Sequence, residues 1–286
     1  MPILSDPSYA VYGMQLSYFT RKLEAAMQWY GVRFEMHSKD LSVQAELESR
    51  AATRQIPVLR TPENWVIGDT TPLLDLMDGR VPIRRMFPTG PLGVLVHIVE
   101  EWFDEWLPRT CLHYRWNDAE SATAAAQCMA REINPDGDDA TRHGIAQMIA
   151  GWGARACRAT GVAEVAQQQA GEAECLRVLT ALDNQLAETK YTLGDRPCAV
   201  DAVVLGALRA HLLADPGPAR VVAQFERVVR WATEASDWDG GGELAPFPDS
   251  TMFARVVLDE MHAGYCPFVL GNRAALAAGS KAFVAT

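Results

Sequence analysis

Three short stretches of this sequence carry side chains whose types and spacing suit the binding of a small anionic ligand. The first is Leu16-Ser17-Tyr18-Phe19-Thr20-Arg21-Lys22-Leu23, which places a hydroxyl where a helical pattern begins. Were the group bound there a thiol, its ordinary pKa of ~8.5 would leave it largely protonated at neutral pH, and the thiolate is the nucleophile. A hydroxyl donor and a helix N-terminus both favour the charged form and so depress that pKa. A shift of about 1 to 2 units requires only about 1.4 to 2.7 kcal/mol. Read from the residues alone, Ser17 is first of all a plain helix cap, and Tyr12 and Tyr18 are rival hydroxyls. The second stretch is Ile56-Pro57-Val58-Leu59, an apolar run whose proline cannot donate to a sheet ladder. Such a proline opens a strand, lies on an edge, or carries a cis bond where the chain turns. The third is Gly68-Asp69-Thr70-Thr71-Pro72, which opens a helix with a capping residue and an early proline. The N–H groups at that helix start need acceptors, and an anion there is stabilised.

The elements that position these residues can be read from periodicity. Tyr9 to Gly13 is the first strand, and a helix runs from Ser17 to Tyr30, its Phe19, Leu23, Ala26, Met27 and Tyr30 recurring on one face. Gly31 stops it. Val32 to His37 alternates as a half-buried strand, and Val43 to Arg50 is a short helix. Ile56 to Leu59 and Trp65 to Ile67 are strands joined by the turn Thr61-Pro62-Glu63-Asn64, and a helix comes next. The order is β-α-β-α-β-β-α across residues 1–80. Residues 81–90 are a proline- and arginine-containing linker without periodicity. Residues 91–286 read as all-helical: Pro91 to Leu107, Ala119 to Arg131, Thr141 to Thr160, Gly171 to Glu188, and Asp201 to a stop at Asp215-Pro216-Gly217-Pro218. Helices at Val221 to Glu234, Ser250 to His262 and Pro267 to Gly279 complete it, after a flexible Gly240-Gly241-Gly242, with Met129 and Met148 in the core.

Composition narrows the function. The chain has 286 residues, 49% hydrophobic and 22% charged, enough for two domains of ordinary globular make-up. A net charge of −10 disfavours nucleic acid or an anionic membrane surface as partner. Six cysteines without a CxxC pair, and no leader sequence, point to reduced thiols in the cytoplasm. No apolar run spans a bilayer. The six histidines lack metal-ligand spacing, so no metal is expected.

Together the three stretches resemble the glutathione-binding marks of the glutathione S-transferase family, in its serine-type form. The first resembles the family's S-P-F-x-R-[KR]-V segment, with Tyr18 in place of proline. The resemblance implies that the Ser17 hydroxyl bonds the sulfur of glutathione, and that the Ile56–Pro57 bond is cis, with the Ile56 backbone meeting the cysteinyl portion. It also implies that Asp69 and Thr70 hold the γ-glutamyl group, carboxylate to ammonium and hydroxyl to carboxylate. Gly194-Asp195-Arg196-Pro197-Cys198-Ala199-Val200-Asp201 is similar to the family's G-D-x-P-[ST]-x-A-D box, with Cys198 replacing the hydroxyl cap and Asp201 left to do most of the bonding. The architecture implied by the resemblance is a thioredoxin-like α/β domain joined to an all-α domain. The resemblance further implies a cytoplasmic homodimer of the detoxification kind, using glutathione as co-substrate and no metal.

The acceptor side is less determined. Trp102, Trp106, His113, Tyr114, Arg115 and Trp116 fall close together, and Tyr18, His113, Arg115 and Trp116 are expected to line an acceptor pocket, aromatic walls with one cationic handle. The alternative is that the tryptophans pack the core. The expected activity is activation of the glutathione thiol for attack on a small hydrophobic electrophile, or a related lyase or isomerase step. A non-catalytic binding or assembly protein is the competing reading. A cysteine-type thiol transferase lacks its nucleophile, since no cysteine precedes Cys111.

Overall fold

A computed structural model of the chain describes residues 8–234, 238 and 241–281. Its first part is built as β1 (Tyr9–Gly13), α1 (Tyr18–Tyr30), β2 (Phe34–Ser38), α2 (Gln44–Ala51), β3 (Val58–Arg60), β4 (Val66–Gly68) and α3 (Thr70–Arg80). The sheet order is β2-β1-β3-β4, with β1 parallel to β2 and β3 antiparallel to both β1 and β4. This is the thioredoxin-like arrangement. Alternation along β1 sends Ala10 and Tyr12 to Leu47 of α2, and Val11 to the main core with Leu23 and Met27 of α1. Gly31 ends α1 in the left-handed region at φ 66°.

The remainder is helical. The helix expected at Pro91 to Leu107 runs further: α4 (Pro91–Glu101) passes through one π-helical stretch (Trp102–Trp106) into α5 (Leu107–Trp116) without a break. Then come α6 (Ala119–Ile133), α7 (Asp139–Ala159), α8 (Val165–Glu188) and α9 (Ala199–Ala207), the last continuing as a π stretch over Leu208–Leu212. Asp118 and Asp138 cap α6 and α7, their carboxylates accepting the N–H of Ser121 and Thr141 at 2.8 and 2.7 Å.

Asp215-Pro216-Gly217-Pro218 is a beginning as well as a stop, because proline is tolerated in a first turn: α10 is Pro216–Val222 and α11 is Glu226–Glu234. The two last expected helices are one, α12 (Met252–Glu260) joined through a π stretch (Met261–Tyr265) to α13 (Cys266–Ala277). Met148, expected inside, is 67% exposed on α7. Gly240, part of the expected flexible glycine run, lies outside the described residues. Among the described residues no helix is long and apolar enough to cross a membrane.

Two features join the parts. Residues 81–90 include a 3-10 turn at Pro82–Arg84 and the buried Met86 and Phe87. The N–H groups of Met86 and Phe87 donate to the Asp78 carboxylate at 2.7 and 2.8 Å, and the Tyr30 hydroxyl donates to it at 2.6 Å. The segment is therefore anchored at the end of α3. On the other side, α9 lies directly on α1. A Cβ at Gly206 would stand 2.6 Å from the carbonyl oxygen of Tyr18 and 3.1 Å from the backbone nitrogen of Lys22. The Asp201 carboxylate fixes the start of α9 by accepting the N–H groups of Cys198 and Thr192, both at 2.8 Å. The reciprocal box expected there is present.

The contact at Gly206 sets a test. Glycine to alanine within a helix ordinarily gains about 0.5 to 1 kcal/mol, and Gly144→Ala in α7, where a Cβ meets nothing within 4 Å, should gain stability of that order. Gly206→Ala should instead lose about 1 to 3 kcal/mol by forcing α9 off α1. Urea melts of the two variants beside the wild type check both signs.

Candidate functional site

Strand register collects the three stretches. Tyr12 of β1 stands opposite Val58 of β3, and Val58 stands opposite Gly68 of β4. Beyond this one cross-strand row, the chain leaves β1 into Met14–Ser17, arrives at β3 through Ile56–Pro57, and leaves β4 into Asp69–Thr70. All three therefore lie at one end of the sheet. With strands about 4.8 Å apart, the outer two of this row are about 10 Å from each other. That is roughly the length of three extended residues. The Ile56–Pro57 bond is cis. Lys39, 5% exposed, anchors the approach to it: its ammonium donates to the carbonyls of Arg54 and Gln55 at 2.9 and 3.2 Å and lies 3.3 Å from Glu48.

At the third stretch the expectation needs correcting in one respect. Asp69 occupies the cap position of α3, but its φ is +69° and its side chain makes no capping hydrogen bond among the described residues. A non-glycine residue in the left-handed region is strained, and such strain collects at functional sites. The carboxylate of Asp69 is exposed instead of turned back onto its helix, and Thr70 beside it is 3% exposed.

Ser17 does cap α1: its Oγ accepts the N–H of Thr20 at 3.3 Å. Accepting through a lone pair leaves the hydroxyl proton free to donate, so capping and donation to a ligand are compatible. The loop in front of it is held almost group by group. Thr20 Oγ1 accepts the N–H of Met14 at 3.4 Å, and the Met14 carbonyl accepts the N–H of Ser17 at 3.1 Å. Gln15 donates its N–H to the Glu132 carboxylate at 3.0 Å and receives Arg21 Nε on its carbonyl at 2.9 Å. A Cβ at Gly13 would fall 2.3 Å from Thr20 Oγ1, so glycine is what lets Thr20 fold under this loop. Of the rival hydroxyls, Tyr18 is 4% exposed and donates to the Phe103 carbonyl at 2.8 Å, with burial pushing its pKa well up. Tyr12 points to the α2 side of the sheet, where its ring stacks on His37 at 5.1 Å.

Beneath the start of α3 lies a buried charge cluster that sequence reading missed. The Lys22 ammonium, wholly buried, donates to Thr71 Oγ1 at 3.0 Å, to Asp104 at 2.5 Å and to Glu100. The Thr71 hydroxyl in turn donates to Glu100 at 2.9 Å. Two carboxylates share one ammonium, and burial outweighs it: desolvation first, with the charge of Glu100 adding, raises Asp104 to about 6 although Lys22 pulls it down. Glu105 nearby is also raised, by burial and then by Glu101 and Asp69.

The four residues expected to line an acceptor pocket are not gathered into one. Arg115 is 2% exposed and spent on buried partners, its Nε donating to both Asp215 oxygens at 3.1 and 2.9 Å. Tyr18 is committed to Phe103. His113 meets Glu172 at 2.9 Å and Asn117 at 3.0 Å, facing α8 and the end of its own helix. Trp116 lies edge-on to Trp152 of α7, where only a glycine at 153 leaves it room. The physical reason is shared: His113, Arg115 and Trp116 on α5 and Tyr18 on α1 are each turned to partners within the protein. Trp102 is likewise core, fully buried against Phe103.

This fold, a thioredoxin-like sheet followed by helices and with a hydroxyl, an X-Pro bond and an open helix start at one sheet end, has known counterparts. Residues 11–85 match the family model of the glutathione S-transferase N-terminal domain. The N-terminal domain of this chain is thus one of the glutathione S-transferase family. A comparison with curated proteins finds no match. Among solved structures, a glutathione S-transferase from Rhodospirillum rubrum F11 is similar at 14% identity and TM-score 0.52, over 87% of this chain and 99% of that one. A glutathione transferase homologue from Sulfitobacter with bound glutathione aligns over 89% of this chain and 99% of that one, at 10% identity and TM-score 0.48.

The Lys22 cluster gives a pH prediction. A carboxylate raised in the folded state binds its proton more tightly there than when unfolded, so Asp104 contributes a loss of stability as pH rises from about 4 to about 6 and no further change above. Asp104→Asn lacks this loss. The stability of the variant minus that of the wild type should rise across that window by up to about 2 to 3 kcal/mol and then level off. Chemical denaturation at four pH values about one unit apart, from about 4.5 to about 7.5, reads it; a flat difference contradicts the shared-ammonium picture.

Proposed function

We propose that this protein binds glutathione across the sheet end formed by Ser17, Ile56–Pro57 and Asp69–Thr70 and activates its thiol for attack on a small hydrophobic electrophile. The observation that carries the reading is the Tyr12–Val58–Gly68 row, which brings the three stretches to one edge. Its span of about 10 Å suits an extended tripeptide. In this reading Asp69 receives the γ-glutamyl ammonium, Thr70 and the N–H groups of α3 receive its carboxylate, and the Ile56 backbone pairs with the cysteinyl portion. Ser17 is the catalytic residue: its hydroxyl donates to the sulfur, and the start of α1 adds its dipole. The family of the N-terminal domain supports the choice of glutathione. The division proposed is 1–80 for glutathione, 81–90 as the connection and 91–286 for the acceptor, in a cytoplasmic enzyme.

Chemistry proceeds by charge. Loss of the thiol proton to solvent leaves a sulfur anion, and a charge-assisted hydrogen bond strengthens as that charge forms. The Ser17 bond is thus worth more to the thiolate than to the thiol, while the Asp69 ion pair is made equally before and during reaction. Ser17→Ala should therefore lower kcat more than glutathione affinity, and Asp69→Ala should do the reverse. The thiolate's ultraviolet absorbance, titrated in the enzyme–glutathione complex, should have a midpoint below that of free glutathione, and Ser17→Ala should return it by about 1 unit or more. Binding without any lowered midpoint in the wild type would favour a binding protein over a transferase.

The quaternary reading is a homodimer in which α4 meets the partner's smaller domain. Val94 and Ile98 on α4 and Trp65 before β4 are exposed at 59%, 39% and 56%, apolar surface of the kind such a contact covers. Light scattering at micromolar concentration should give twice 31.4 kDa. A mass of one chain would count against it.

A further inference from the structure

Arg115 belongs to the helical part of the chain, yet one arm of its guanidinium ends on the loop that carries Ser17. Nη1 donates to the carbonyl oxygen of Leu16 at 2.7 Å, Nε donates to the two oxygens of Asp215 at 3.1 and 2.9 Å, and Nη2 donates to the Ala210 carbonyl. The Leu16 carbonyl and the Ser17 N–H are the two ends of a single planar peptide group. Since the Ser17 N–H is bonded to the Met14 carbonyl at 3.1 Å, that plane is gripped at both ends. The hold on this plane bears on φ of Ser17, −98°, one of the two backbone angles that define its cap geometry.

We propose that Arg115, oriented by Asp215, is a positioning residue for the Ser17 hydroxyl, so that the helical domain sets the place of the sulfur's hydrogen-bond donor. This rests on the function proposed above. Arginine suits the task for a stated reason. Its flat fork presents five donors in fixed directions and can serve a carboxylate and two carbonyls at once, whereas an ammonium is a point with three donors and spans fewer of them. The site is also built to keep the fork in place. Asp215 is 1% exposed and stands at the start of α10, and His211 lies 3.5 Å from it. Burial first, then the positive charge of Arg115, lowers His211 to about 4, so at neutral pH the imidazole is uncharged and the guanidinium is the cation that Asp215 answers.

The consequence is directional. A hydrogen bond weakens steeply once its angle or length is spoiled, and a displacement of about 1 Å at a reacting group can cost on the order of 100-fold in rate. Arg115→Lys keeps the charge but loses the three-way grip. It should raise the thiolate midpoint of the glutathione complex part of the way towards that of Ser17→Ala and lower kcat by roughly 10-fold or more. Glutathione affinity by calorimetry should change by less than about 3-fold, since Asp69 and Thr70 hold the far end. In a Ser17→Ala background, adding Arg115→Lys should leave the midpoint where Ser17→Ala alone puts it.

A purely structural role would lower the melting temperature and leave the midpoint of the folded complex unmoved, or move it equally in both backgrounds; either result overturns the proposal. Should Arg115→Lys fail to fold, the pair Arg115→Met with Asp215→Asn removes both buried charges together, leaves neither uncompensated, and is held to the same midpoint test. If the wild type binds no glutathione in the calorimeter, the functional reading itself falls and this inference with it. If the wild type binds with a lowered midpoint that neither Arg115 variant shifts, only this inference is overturned.

Discussion

A single buried ammonium, that of Lys22, stands where three elements of this protein meet. It comes from α1, reaches Thr71 at the start of α3, and ends on Glu100 and Asp104 of the long α4–α5 helix. Ions so deep lose several kcal/mol each in hydration and recover it only through close, well-directed partners. The cluster is therefore an all-or-none contact between the thioredoxin-like sheet domain and the helices. Removing the ammonium alone would leave Glu100 facing Asp104 in a dry seam. Lys22 and Glu100 are buried, and α9 packs against the stem of Lys22 at Gly206, so water screens these charges little.

Around this seam the electrostatics of the candidate site become intelligible. The chain is acidic overall, and the α4–α5 helix sets Glu105 near Glu101 and Asp69, whose charges add to burial in raising its proton affinity. Carboxylates in such proximity repel unless a cation comes between them. Under the proposed function, the ammonium of a γ-glutamyl group is that cation. At the Ser17 end the arrangement is the opposite: backbone carbonyls of the loop are taken up by Arg21 and Arg115, the N–H groups of Met14, Gln15 and Ser17 are bonded within the protein, and the Ser17 hydroxyl proton is the donor kept for a ligand under the proposed function. Under the same proposal, one end receives a positive charge and the other a negative sulfur.

What was legible in the sequence was local. The strand–turn–strand of residues 56–68 and the helix after it announce themselves through prolines, a turn and a capping pattern, and their order along β1, β3 and β4 follows from the fold they imply. The cap at Ser17 was legible for the same reason, since its partner is three residues away. Asp69 shows the limit even of local reading: a good capping residue type was present, but its backbone is in the left-handed region and the side chain does not cap. The roles of Lys22, Lys39 and Arg115 were not legible, because their partners are decided by tertiary packing. Arg115 bonds Leu16 and Asp215 from 99 and 100 residues away, and in the sequence it reads as a cationic handle among aromatics. The same packing made one helix of 91–116 where periodicity suggested an end at Leu107.

That continuous helix carries a π stretch, which lodges one residue more than regular α-helical winding would over the same rise. Every residue after it is turned by about 100° from where unbroken α-helical winding would place it. Glu100 thereby looks towards the start of α3 while Arg115, further along the same rod, looks towards the Ser17 loop. The two ends of the candidate site are thus phased to each other by a lodged residue, as teeth on one shaft are set by the angle at which the shaft was cut. A lineage that gained or lost that residue would have kept both halves of the helix and their cores, yet swung one set of contacts out of mesh. In this part of the molecule, the count of residues matters as much as their kinds.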